Sequence, residues 1–136
     1  MKIKILITAL LTACIFSACK DEKAEEKSQL NEVIKVHDNA MGNSETAVKN
    51  KAVLDSLIKT TTDTGKVNTM RMLSSNLASA DSTMEAWMHQ FNADYTGKSH
   101  TEVVDYLHNQ RLQVQHVDSL LTVAISASQK YLSPTK

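Results

Sequence analysis

From Met70 to Phe91 the apolar side chains fall at alternating steps of three and four: Met70, Leu73, Leu77, Ala80, Met84, Trp87 and Phe91. A second run, Val103, Leu107, Gln110, Val114, Val117, Leu121 and Ala124, follows the same rule with one polar member. About 3.6 residues make one turn of an α-helix, so these steps place each run on one side of a helix as a heptad seam. Neither seam can be covered by its own helix, so each demands neighbours. The chain shows no alternating strand pattern, and three glycines and one proline are too few for a turn-rich β protein.

A third amphipathic segment precedes these two. Leu30, Val33, Ile34, His37 and Met41 recur at helical spacing, and Ala47, Val48, Val53, Leu54, Leu57 and Ile58 extend a less regular face. Gly42-Asn43 marks a place for a kink. The stretch TTTDTGK, with Gly65 free to take positive φ, reads as a connection, and NADYTGKS as another. Ser99 and Glu102 have the spacing of a capping box, and Ser133-Pro134 stops the last helix. The expectation is an all-α, antiparallel up-down-up three-helix bundle spanning 30–133, with helices at about 28–60, 66–93 and 100–132.

The N-terminus carries a different signal. Lys2 and Lys4 precede an apolar run from Ile5 to Ala18 that ends abruptly in charge, the pattern of a secretory signal peptide over residues 1–18. Crossing a hydrocarbon core takes about 20 apolar residues, so the run is short for a spanning helix. Ser17-Ala18-Cys19 resembles the lipobox of bacterial lipoproteins, which implies a diacylglycerol on the Cys19 thiol and cleavage just before it. Leu11-Thr12-Ala13-Cys14 is a rival site, and a plain signal peptide that leaves Cys19 a free thiol is the remaining alternative. With Cys19 lipidated, no thiol remains for a disulfide, a thiolate nucleophile or zinc.

Residues 19–29 then read as the lipidated cysteine and a charged, solvated tether, KDEKAEEKSQ following Cys19. Lys20-Asp21-Glu22 resembles the export signal that directs some Bacteroidota-type lipoproteins to the outer cell surface, which points to the outer membrane. The 136 residues less the 18 of the signal leave about 118, room for one domain with its own core. Fifteen basic and fifteen acidic residues balance, and loss of Lys2 and Lys4 leaves a slightly acidic chain without a basic stripe. That argues against nucleic-acid binding and against electrostatic membrane docking.

The stretch HDNAM places His37 and Met41 at i and i+4 on one face; Met84 and Met88 share a face of the next helix. Antiparallel pairing through TTTDTGK brings the two pairs to similar height. Imidazole with thioethers is a soft donor set suited to Cu(I) or Ag(I), and methionine is equally the adaptable filler of helical cores. His37, Met41, Met84 and Met88 are therefore either a soft-metal site or packing. Asp38 beside His37 is expected in solvent, because adjacent helical residues point apart. His89, His100, His108 and His116 are expected on the surface. Trp87, when buried, needs a partner for its indole N–H, and Gln110 or His37 would serve. The chain carries no Gly-rich phosphate loop, nucleophile elbow or His-Glu-x-x-His, so an enzyme is not expected and no cofactor beyond the lipid is implied.

The motifs HDNAM, WMHQF and YLHNQ, one per helix, are similar to those of a group of small Bacteroidota-type lipoproteins, some labelled viral A-type inclusion protein. The likeness covers most of the mature chain and implies a helical fold and envelope location without implying a reaction. Gly42 stands where that group carries a proline, so the kink is not carried over. His37, Met41, Met84, Trp87, Met88, Phe91 and Gln110 are the expected ligand or core layer. The overall expectation is a lipid-anchored, non-enzymatic structural or interaction module that docks a protein partner or self-associates; a Cu(I) binder is the alternative.

Overall fold

A computed structural model describes residues 2–133, with side chains from residue 21 onward. The signal segment's side chains, the Cys19 lipidation site and Pro134 lie outside the described residues. Three helices follow in order: α1 (Lys2–Thr60), α2 (Thr64–Gln90) and α3 (His100–Leu132). They form an all-α bundle, and the described residues contain no strand. Among the described residues no helix is long and apolar enough to cross a membrane.

Side-chain ties fix the directions. Asn43 Nδ2 donates to Asp118 Oδ1 at 2.8 Å and Asn50 Nδ2 to Ser128 Oγ at 2.9 Å; as α1 advances α3 advances with it, so the two run parallel. Ser44 donates to Asp81, and Ser74 Oγ donates to Asp55 Oδ1 at 2.6 Å; as α1 advances α2 recedes, so that pair is antiparallel. The topology is up-down-up.

On α2 every seam residue from Met70 to Trp87 is buried, with Phe91 half-buried at the helix end. On α3 the seven seam residues are all buried, joined by Ile125 and Ser128. Leu54, Leu77, Met84, Leu107 and Leu121 are fully enclosed, each stabilising the fold by about 1.5–3 kcal/mol.

The first helix departs from expectation. Its buried line is Val33, Ala40, Ala47 and Leu54, a strict seven-residue repeat, while Ile34, Met41, Val48, Val53 and Leu57 are exposed. Two alanines at the centre let α1 approach both neighbours closely, which moves the bulkier side chains to the flanks. Gly42 interrupts nothing; it sits exposed within the helix, and Thr46 Oγ1 donates back to its carbonyl at 3.0 Å.

The connections also differ in detail. Thr61 to Asp63 suffice for the first, where Asp63 caps α2 by accepting from the Lys66 amide at 3.1 Å. Gly65 lies inside α2, and among the described residues only Gly97 has positive φ, at 80°. α2 stops at Gln90, with Phe91 extended at its C-cap. The Ser99–Glu102 capping box is present as expected.

The charged segment expected as a tether is helical: residues 21–29 continue α1. Glu26 Oε1 lies 3.0 Å from His100 Nδ1 and Glu25 Oε2 3.3 Å from His100 Nε2. His100 is half-buried at the start of α3, a correction to its expected surface place, because the parallel α1/α3 register carries both carboxylates onto it.

Candidate functional site

The chemically distinctive residues gather at the end of the bundle where α2 finishes and α3 begins. Trp87 is the centre, carried there by the α2 seam. The His37 ring from α1 lies 5.8 Å from the Trp87 ring, inclined by 37°. Phe91, one turn on, is stacked on Trp87 at 5.2 Å. Tyr106 from α3 stacks on Phe91 at 6.2 Å, and Tyr95 meets Tyr106 edge-on at 6.0 Å. Each such pair adds about 0.5–1.5 kcal/mol beyond its buried area.

Local chemistry holds this file in place. The Tyr106 hydroxyl accepts from the Asn92 amide at 2.8 Å, which closes the chain where α2 stops. Asp94 Oδ1 accepts from Thr96 Oγ1 at 2.6 Å and Thr96 N at 3.0 Å; those bonds hold its carboxyl below the usual range. Burial, with Tyr106 and Glu26 nearby, pushes the Tyr95 hydroxyl up. The Glu26 hydrogen bond, reinforced by Glu22 and Glu25, raises the His100 pKa.

Val33, Ile34, His37, Trp87, Met88 and Phe91 line a groove of about 310 Å³ between α1 and α2. Of the four candidate metal ligands, His37 and Met88 thus share one groove. Met84 is fully buried in the core, and Met41, 40% exposed, is not among the groove's walls. Gln110 is buried on α3. Among the described residues no group of three His, Cys, Asp or Glu converges as a metal site.

Two expectations about side-chain pairing are corrected. The buried indole Nε1 of Trp87 has no hydrogen-bond partner, and neither has Gln110 Oε1, so the expected Trp87 bond to Gln110 or His37 is not made. The α2 and α3 seams point both side chains into an apolar interior, where ring stacking sets the indole's orientation. Asp38, although well exposed, does meet its neighbour: its Oδ1 lies 3.1 Å from His37 Nδ1. Both side chains are short enough to lean across the angle that separates their Cβ bonds.

A second concave surface was missed by seam reasoning. Two hollows between α2 and α3, about 260 and 470 Å³, adjoin at Thr83. Ser79, Thr83 and Ala86 form the α2 side; Leu112, Leu120 and Val123 form the α3 side. Val123 is 70% exposed, and no residue lining either hollow is Asp, Glu, Lys or Arg. From Asn76 to Gln90 the trough is about 21 Å long at about 1.5 Å per residue. The signal was in the sequence, as Leu112, His116, Leu120 and Val123 repeat at steps of four, four and three.

Fold and site together define a three-helix bundle with an aromatic end and an uncharged lateral trough. No family model, curated protein or solved structure matches the chain.

Proposed function

We propose that this chain is a lipid-anchored protein of the outer membrane, of the small-lipoprotein group its motifs resemble, acting without catalysis as a docking module for another envelope protein. The anchor rests on the signal-like N-terminus and Ser17-Ala18-Cys19, where acyl chains would contribute about 0.8 kcal/mol per buried methylene. The observation that carries the docking role is the uncharged α2/α3 trough with Leu112, Leu120 and Val123 exposed along it.

The occupant is one amphipathic helix of a different protein. A trough of this length admits about four helical turns, and the small α2 residues permit close backbone approach. Without fixed charge on either wall, the docking face must itself be uncharged and apolar. A second copy fits worse: two copies paired trough to trough leave a void between them. Inserting the exposed α1 flank of one copy into the next makes a heterologous, head-to-tail contact, which builds a ring or a filament and not a closed pair.

The test is site-specific photo-crosslinking in cells. A photoreactive residue at Val123 or Leu120 should give one discrete adduct, lost with Thr83→Glu, and none from the opposite face at Ala52. The cross-linked peptide should map to an amphipathic helix of the partner. Adducts with the chain itself alone, or equally from Ala52, overturn the reading. Failure of Cys19→Ser to release the protein from membranes overturns the anchor separately.

A further inference from the structure

We infer that the groove between α1 and α2 is a binding site for a soft monovalent metal ion, Cu(I) or Ag(I), held by His37 Nε2 and Met88 Sδ beside the Trp87 ring. Both side chains line the same groove, and both are reachable, His37 half-buried and Met88 37% exposed. Asp38 Oδ1 engages His37 Nδ1 at 3.1 Å. An imidazole whose Nδ1–H is taken up by a carboxylate presents Nε2 as its lone-pair nitrogen, the arrangement that orients histidine ligands.

The remaining walls select among metals. Val33, Ile34, Trp87 and Phe91 offer no oxygen or thiolate donor. Calcium and magnesium require oxygen ligands, and zinc a fuller set of nitrogen, sulfur or carboxylate donors, so they find no site here. A d¹⁰ monovalent ion accepts few ligands and favours imidazole with thioether. The ring of Trp87, 5.8 Å from that of His37, adds an electron-rich face to the same groove. Met84 takes no part because it is fully enclosed in the core.

The only tryptophan of the chain lies at the site and reports on it. The experiment is a fluorescence titration with silver nitrate in chloride-free buffer, using the full chain in detergent with Cys14→Ser and Cys19→Ser to remove thiols. Saturable one-to-one quenching is expected, weakened about tenfold or more by His37→Ala and by Met88→Leu. His89→Ala and Met72→Leu, which alter exposed donors outside the groove, should leave it unchanged. Circular dichroism checks folding; Met88→Leu preserves shape at an exposed position, so it carries the test if His37→Ala unfolds. Absence of saturable quenching, or an unchanged response in folded Met88→Leu, overturns the site.

Discussion

The register of α1 can be tested by exchanging the roles of two neighbours, Ala47 and Val48. Ala47 is 0% exposed and Val48 51% exposed, the reverse of what side-chain bulk suggests. Ala47→Leu adds three carbons where the helices are already closed around a methyl group. Overpacking of that kind costs about 1–3 kcal/mol, whereas on a helix surface the same change costs about 0.2 kcal/mol in propensity. Val48→Ala removes a side chain only half withdrawn from water, a loss of about 1 kcal/mol, offset by about 0.5 kcal/mol of helix propensity. The assay is urea unfolding of residues 20–136 followed by circular dichroism. With a slope of about 1.5 kcal/mol per molar, Ala47→Leu should lower the midpoint by about 1.3 M and Val48→Ala by less than about 0.4 M. A variant order reversed from this refutes the close approach of α1 and with it the alanine seam.

Three further outcomes follow from particular contacts. Trp87→Phe should cost less than about 1.5 kcal/mol, because the buried indole N–H is unpartnered and its removal also removes a desolvation penalty; Trp87→Ala should cost about 3–5 kcal/mol by thermal denaturation. Leu54→Ala should cost about 2–5 kcal/mol, while Leu57→Ala, exposed one turn later, stays within about 1 kcal/mol. The raised His100 pKa means that the protonated imidazole favours the folded arrangement, so its stabilisation is full below the ordinary value of 6.5 and is lost as pH rises through the raised value. Intrinsic-rate-corrected amide exchange over residues 21–29 should therefore be slower near pH 6 than near pH 8; the difference disappears in His100→Ala, and its persistence there would sink the assignment.

How far the sequence could be read depended on which interaction set each position. On α2 and α3 the seams were legible almost residue by residue, since Leu77, Met84, Leu107 and Leu121 are bulky, regular and unambiguous about their face. On α1 the contest between Ala40 and Met41, or Ala47 and Val48, is decided by interhelical distance, which no single-helix pattern contains. The helical state of residues 21–29 was hidden for a related reason: local charge argued for solvation, and the ion pairs with His100 come from 74 or so residues away. Of the candidate layer, His37, Trp87, Met88 and Phe91 do meet, because their heptad positions face the α1/α2 groove. Met41 and Met84 diverge from them because one lies on the outer flank and the other on the inner seam. Tyr95 and Tyr106, which extend the aromatic file, owe their meeting to the turn between α2 and α3.

The polar ties are distributed unevenly, and that bears on the trough. Asn43–Asp118, Asn50–Ser128, Ser44–Asp81 and Asp55–Ser74 all fasten α1 to a neighbour. Among the described residues no side-chain hydrogen bond joins α2 to α3. Those two helices are held by apolar contact and by their common grip on α1, so widening the trough between them to seat another helix breaks no polar tie. Removing a partner from the α1 side should cost stability, because a part-buried group is left unmatched: Asp55→Ala, which deprives both Lys51 and Ser74, should lose about 1–3 kcal/mol. Gln113→Ala or Ser79→Ala on the trough walls should stay within about 0.5 kcal/mol while altering the docked adduct. Comparable losses on both sides would mean that α2 and α3 are fastened as firmly as the rest, and a trough so braced could not open for a fourth helix.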